Sequence, residues 1–202
     1  MSMILPKRTF CLIRHGETVA NRDGLIAGHW DVELTVQGLA EAKMLRQFQW
    51  PSQLVLYASP LKRAMQTAQL GFLDHEPILD IKLKERDWGA LEGQDLSQLC
   101  PRQHTPPKGE SWADFVERKQ CALTKILLRS SPGLPVIVAH SGTIRAVRFL
   151  LGLDFDGPRP ANGQPIFYSP DGQQNWREYR LTRSTNISAL MTENQKEEMW
   201  TA

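Results

Sequence analysis

Two histidines, two arginines and a glutamate occupy positions in this chain where polar side chains have chemical work available. Arg14-His15-Gly16-Glu17-Thr18 follows one short β-favouring run, and Ser59-Pro60-Leu61-Lys62-Arg63 follows another. His140-Ser141-Gly142 closes a third, and Glu85 lies between the second and the third, in LKERDWGALEG. Guanidinium groups match phosphate oxygens in a planar, bidentate way. A neutral imidazole is a nucleophile near neutral pH, and a nearby carboxyl group can protonate a leaving oxygen. No HxH or HExxH spacing suggests a metal, and Cys11, Cys100 and Cys121 lack metal-ligand spacing. The chemistry implied is metal-free and cofactor-free transfer of a phosphoryl group to histidine.

Such residues must be gathered by the elements before and after them. Residues 9–13 (TFCLI), 54–58 (LVLYA) and 135–139 (PVIVA) read as strands, the last as a central strand covered on both faces. Between them the period changes. Thr35 is a suitable N-cap for a helix over 35–49, where Val36, Leu39, Ala42, Leu45 and Phe48 recur at helical spacing. Residues 61–70 read as a helix stopped by Gly71. A variant capping box, Ser111 to Asp114, opens a long helix to about Arg129, and residues 142–151 form another. This alternation predicts an α/β fold, three-layer α/β/α with a mainly parallel central sheet. In such sheets ligands sit beyond the carboxyl ends of the strands, so the three reactive clusters are expected at one rim. An edge strand is expected at 78–83, and a hairpin pairs 165–168 with 176–181 through the turn signal Ser169-Pro170-Asp171-Gly172. The Pro/Gly-rich stretches 100–110 and 154–175 are expected to form cap loops, and the polar tail 184–202 to fray.

Composition bounds the remaining possibilities. The 202 residues carry 24 Lys+Arg and 22 Asp+Glu, a formal net charge of +2, which leaves no electrostatic footprint for nucleic acid. No uncharged apolar run approaches the ~20 residues of a membrane helix. The apolar stretch before Pro6, Lys7 and Arg8 is too short for a secretory signal. Three cysteines, few and odd in number, read as reduced thiols of a cytoplasmic protein. One domain over residues 1–202 is expected at this length.

The reactive residues sit inside longer motifs. Asn21 follows the first cluster, and Leu34-Thr35-Val36-Gln37-Gly38 has the form L-T-x-x-G. Next come YASPLKRAMQTA over 57–68, ERDWGALEG over 85–93, and Gly109-Glu110-Ser111. Val138-Ala139-His140-Ser141-Gly142, with Arg145 beyond, completes the series. In this order, over roughly residues 9–151, the set resembles the histidine phosphatase superfamily and its phosphoglycerate-mutase-like fold.

The resemblance implies roles. His15 would become phosphohistidine. Arg14, Arg63 and His140 would bind the phosphoryl oxygens. Glu85 would act as acid and then help activate water, and Asn21 would hold the phosphate or its loop. Glu17 and Glu92 are alternatives for the acid; Glu85 ranks first because its spacing to Trp88-Gly89 fits the family segment. Many members carry Gly directly after the second histidine, where this chain has Ser141. A Ser141 N–H opening a helix can still face an anion. His29, His75 and His104 read as ordinary polar residues. Trp30, Trp88 and Trp112 read as core or rim packing. Lys108, Arg86, Arg102 and Arg159 read as cap-lining groups or, more simply, as solvated charges.

The expected function is a phosphomonoesterase acting on a small phosphorylated metabolite. A phosphoglycerate mutase is the alternative within the fold. Only 55 positions separate Glu85 from His140, where the mutases carry a longer insertion with paired arginines. A short segment leaves an open mouth, which suits transfer to water. Residues 17–29 resemble α-ribazole phosphatases, a narrower substrate choice. A non-catalytic phosphate-binding regulator is the alternative of another class, and the presence of all the core positions weighs against it. The expected partner is a small phosphate ester, with no nucleic acid or membrane. The hairpin and tail offer a surface for a homodimer that nothing in the sequence requires.

Overall fold

The computed structural model describes residues 5–129, 133–171 and 175–191. Six strands form one sheet: β1 (Phe10–Arg14), β2 (Leu54–Ala58), β3 (Ile78–Leu79), β4 (Leu134–Ala139), β5 (Pro165–Pro170) and β6 (Trp176–Arg180). Their order is β3-β2-β4-β1-β5-β6. The first four run parallel, and β5 and β6 are antiparallel additions at one edge. The register sets Arg14 against Ala139 and Ala58 against Val138, so β1, β2 and β4 end nearly level. The segments that follow them therefore emerge at one rim.

Alternation along the strands divides the core in two. Phe10, Leu12, Ile137 and Ala139 pack with α4 (Trp112–Leu127) and α5 (Ser141–Leu150). Cys11, Ile13, Leu56, Ala58, Val136 and Val138 face the other way, against Ala64 and Ala68 of α3 (Lys62–Gly71). Helix α2 (Val36–Met44) lies beside α3 on that side. A strand period of two buries a residue on each face only when both faces are covered. The result is the expected three-layer α/β/α architecture with a mainly parallel sheet.

Local chemistry sets the helix starts. Thr35 Oγ1 accepts the Gly38 N–H at 3.0 Å, and Ser111 Oγ accepts the Asp114 N–H at 3.1 Å. These side chains satisfy amide donors that the first turn leaves unpaired. A short helix not foreseen in the sequence, α1 (Val19–Arg22), is capped by Thr18.

Several boundaries differ from expectation. Helix α2 ends at Met44, residues 45–47 tighten into a 3₁₀ turn, and Phe48 is extended. Ala42 and Leu45 are buried, but Val36 and Leu39 are exposed, so the apolar stripe is narrower than its spacing implied. The edge strand expected over 78–83 is two residues long. Asp80 Oδ1 accepts the Lys82 N–H at 2.9 Å and turns residues 81–83 into a 3₁₀ helix. Short polar side chains compete with strand pairing in this way. The tail is packed as far as Met191: Ile187 is fully buried, with Leu190 and Met191 against the α3-side core. The remainder of the tail, 192–202, and Gly172 of the hairpin turn lie outside the described residues. No helix among the described residues is long and apolar enough to cross a membrane.

Candidate active site

His15 stands just beyond β1, and its backbone N–H donates to the Ala139 carbonyl at 3.0 Å. Its ring Nδ1 lies 2.7 Å from the Gly16 carbonyl oxygen. A carbonyl only accepts, so Nδ1 carries the proton and Nε2 keeps a lone pair. Arg63 Nε donates to that lone pair at 3.2 Å. Burial, then the charges of Arg63 and Arg14, hold the imidazole pKa well below its ordinary value, so the ring is neutral.

Arg63 sits in the first turn of α3, on the buried face shared with Ala64, Thr67 and Ala68. Its Nη1 and Nη2 donate to the carbonyls of Trp30 and Gly28 at 2.9 and 2.7 Å. Arg14, at the end of β1, donates from Nη1 to Pro160 O at 2.8 Å, while its buried Nε has no partner. Burial and repulsion by Arg159 lower the Arg14 pKa to about 9. His140 follows β4 as the N-cap residue of α5, fully buried, with its ring 5.2 Å from that of His15. Its Nε2 is 2.8 Å from Ser59 Oγ, and its Nδ1 is buried without a partner. Burial, then Arg63 and His15, hold its pKa well below the ordinary value. Buried polar atoms are normally paired, and Arg14 Nε and His140 Nδ1 are exceptions among the described residues.

Glu85 faces the same space. Its Oε1 and Oε2 accept the N–H groups of Arg86 and Gly142 at 2.8 and 2.9 Å. A Cβ at Gly142 would overlap the Glu85 carboxylate, so the glycine makes that approach possible. Helix α4 anchors the Glu85 backbone: Arg118 donates to the carbonyls of Lys82, Lys84 and Glu85 at 2.8, 3.0 and 3.1 Å. The buried Lys119 ammonium donates to the carbonyls of Lys82 and Lys84. The competing carboxylates are occupied elsewhere. Glu92 accepts the backbone N–H groups of His29, Trp30 and Trp88. Glu17 Oε1 accepts the Thr35 hydroxyl at 2.7 Å.

Arg14, His15, Asn21, Arg63, Glu85 and Ser141 all line one cavity of about 270 Å³. His140 does not line it and lies fully buried beside His15. Asn21 Oδ1 accepts from Asn162 Nδ2 at 3.1 Å, and the same amide donates to the His15 carbonyl at 2.8 Å. Asn162 was not singled out in the sequence; only its place in the Pro/Gly-rich stretch 154–175 hinted at it. Arg86 is not a solvated charge. It is 1% exposed and donates to the carbonyls of Glu110, Arg102 and His104, which fastens the 100–110 loop. His29 is likewise structural, with Nε2 2.9 Å from the Glu85 carbonyl oxygen. Trp88 and Trp112 line the cavity. Among the described residues, no three His, Cys, Asp or Glu side chains cluster to hold a metal.

A mostly parallel sheet presenting two histidines, two arginines and a glutamate at one rim describes a class of phosphoryl-transfer proteins. The chain belongs to the histidine phosphatase superfamily (branch 1), whose family model matches residues 10–165, and it is an enzyme of that superfamily. It is 32% identical over 146 residues to the uncharacterized phosphatase PhoE of Bacillus subtilis, covering 68% of this chain and 74% of that one. It is also 32% identical over 192 residues to a 2,3-bisphosphoglycerate-dependent phosphoglycerate mutase of Bartonella tribocorum, covering 80% and 92%. A solved structure of a candidate alpha-ribazole-5'-P phosphatase from Escherichia coli superposes with a TM-score of 0.75 at 26% identity, covering 88% and 98%. Since 92% of a mutase-named relative is spanned, total length does not separate phosphatase from mutase.

Proposed function

We propose that the protein is a metal-independent phosphomonoesterase that hydrolyses a small phosphorylated metabolite through a phosphohistidine on His15. The observation that carries this reading is the His15 imidazole, neutral, with Nδ1–H committed to the Gly16 carbonyl and Nε2 held at Arg63 in the cavity that Glu85 also lines.

In the first step Nε2 forms a bond to phosphorus, and the bond to the ester oxygen breaks. Glu85 transfers a proton to that oxygen and is left as carboxylate. Arg14 and Arg63 take up charge on the phosphoryl oxygens. Preorganised cationic donors of this kind carry most of phosphoryl-transfer catalysis. Ser59 Oγ, which accepts the Leu61 N–H at 3.3 Å, can donate its own hydrogen to His140 Nε2 2.8 Å away. With Ser59 as donor, His140 Nδ1 carries a proton and is a buried donor without a partner beside His15. In the second step the Glu85 carboxylate takes a proton from water as the water oxygen attacks phosphorus. The N–P bond breaks, and inorganic phosphate leaves.

Transfer to water rather than to a second substrate hydroxyl is supported by the short segment between Glu85 and His140. The alignment with the Bartonella mutase runs over 192 positions yet covers 80% of these 202 residues. The mutase therefore carries residues within the aligned region that this chain lacks. The alpha-ribazole-5'-P phosphatase likeness makes that ester one candidate for a substrate panel, beside phosphoglycerates and sugar phosphates.

Incubation with p-nitrophenyl phosphate under mildly acidic conditions with a chelator tests the reading. Turnover and an acid-labile phosphoenzyme are expected, and His15→Ala should remove both, with a loss of about 10³-fold or more in kcat. A folded wild-type protein giving neither would refute it. Labelling of His15→Ala at the wild-type level would place the nucleophile elsewhere.

A further inference from the structure

Away from the cavity mouth, the 3₁₀ turn over 81–83 and helix α4 bring an amine against a thiol. Lys82 Nζ lies 2.7 Å from Cys121 Sγ. Sulfur is a larger atom than oxygen, yet this separation equals that of the shortest N–H···O bonds between charged partners. A single oxygen atom bonded to both nitrogen and sulfur would span it. Both side chains are exposed, so a small oxidant reaches them. The other thiols are placed differently. Cys11 is fully buried, with its pKa pushed up by burial, and Cys100 Sγ faces the His104 carbonyl at 3.8 Å. All three cysteines are free. A sulfenic acid condenses with a neighbouring thiol or with nitrogen, and at Cys121 the group in contact is the Lys82 amine. The pair is held in place by the backbone below it. Arg118 Nη1 and Lys119 Nζ, on the same helix as Cys121, each donate to the Lys82 carbonyl at 2.8 Å. Reacting groups fixed at contact distance react as if at very high concentration.

We propose that Lys82 and Cys121 are an oxidative modification site, where hydrogen peroxide installs one oxygen atom between Nζ and Sγ and so ties α4 covalently to the segment that ends in Glu85. Neither residue takes part in the phosphoryl-transfer steps, so the site stands or falls apart from them. A first peroxide oxidises the thiol: an S–O bond forms, the O–O bond breaks, and water leaves, which gives the sulfenic acid. The Lys82 ammonium releases a proton and becomes an amine. A second peroxide takes up two further electrons: an N–O bond forms, the sulfenic O–H and one amine N–H are lost, and two waters leave. In sum one thiol, one amine and two peroxides give one N–O–S bridge and three waters. The bridge closes a loop between positions 39 apart in the chain. Such a cross-link restricts the unfolded chain, and because the two atoms already stand at bridging distance it costs the native state little strain.

Mass spectrometry tests this without requiring turnover. The whole protein is reduced, freed of reductant and treated with hydrogen peroxide. A species about 14 Da heavier is expected, with one oxygen gained and two hydrogens lost. Its proteolytic map should join a peptide containing Lys82 to one containing Cys121, and excess dithiothreitol should part them. Lys82→Arg should give no joined peptide and should instead carry sulfenic or sulfinic acid at Cys121. Cys121→Ser should give neither product at that position. The bridged form should melt about 5–10 °C above the reduced protein, and dithiothreitol should remove the difference. Sulfinic acid at Cys121 forming equally fast in wild type and Lys82→Arg, with no joined peptide, would overturn the proposal. So would a mass about 2 Da lower with no oxygen gained, which marks a direct S–N bond. A bridged form that melts with the reduced protein would overturn the tie between α4 and the Glu85 segment.

Discussion

At the scale of single residues, the site is decided by what each polar atom is already bonded to. Glu17, Glu85 and Glu92 are equivalent in side-chain chemistry, and in the sequence only the spacing of Glu85 to Trp88-Gly89 ranks it first. The structure separates them by place: Glu85 lines the cavity while accepting two backbone amides, whereas Glu92 with its three amides and Glu17 with its hydroxyl do not line it. Glu85→Gln should therefore slow an alkyl phosphate by about 10²-fold or more, and p-nitrophenyl phosphate far less, because a good leaving group needs little protonation. Steady-state kinetics on both esters checks this. Equal losses would remove Glu85 from the role of acid. That Arg14, His15 and Arg63 share one rim was legible from the sequence because Arg14-His15 closes a strand and Arg63 lies in YASPLKRAMQTA, a motif that follows the next one. Asn162 was not, since nothing in a Pro/Gly-rich loop marks which amide will reach the His15 carbonyl 147 positions away.

At the scale of elements, the site depends on how closely α2 approaches the loop after β1. A Cβ at Gly38 would overlap the backbone carbonyl of Glu17, and one at Gly16 would overlap the carbonyl of Gly38. The last position of L-T-x-x-G is thus a contact requirement between two backbones, where no flexible side chain can yield. Gly38→Ala should cost about 1–3 kcal/mol, as other forced overpacking does, and should lower phosphoenzyme formation by shifting the His15 loop. Urea unfolding and phosphoenzyme yield read the two effects. An unchanged unfolding midpoint would mean that α2 moves at no cost. Helix starts were legible because Thr35 and Ser111 cap by local bonds. The edge strand was misjudged because strand length depends on what lies alongside, and the Asp80 side chain captured the Lys82 amide first.

At the scale of the whole molecule, two buried neutral imidazoles link stability to pH. His15 and His140 have folded-state pKa values well below their ordinary ones, while the unfolded chain titrates near pH 6.5. Below about pH 6.5 the unfolded state therefore binds more protons than the native state, and stability falls as pH falls toward the folded-state values. The slope is about 1.4 kcal/mol per pH unit for each imidazole kept neutral. Urea unfolding at pH 7 and pH 5 should show a shallower dependence in His140→Asn than in wild type. Equal slopes would mean that His140 titrates normally. The net charge of +2 says nothing of this, nor of six arginines lining one cavity, because a global sum carries no positions. The types and order of the motif residues, the alternation of strand and helix periods and the caps are local properties, and so the sequence alone specified the architecture and the residue types that gather at its rim. That Glu85 rather than Glu17 or Glu92 lines the cavity, that Arg86 fastens a loop, that His140 is buried beside His15, and that Arg102, Arg145 and Arg159 line the same cavity were decided only by the tertiary structure. Those facts depend on distances between segments far apart in the chain and on which hydrogen-bond partners the packing leaves within reach.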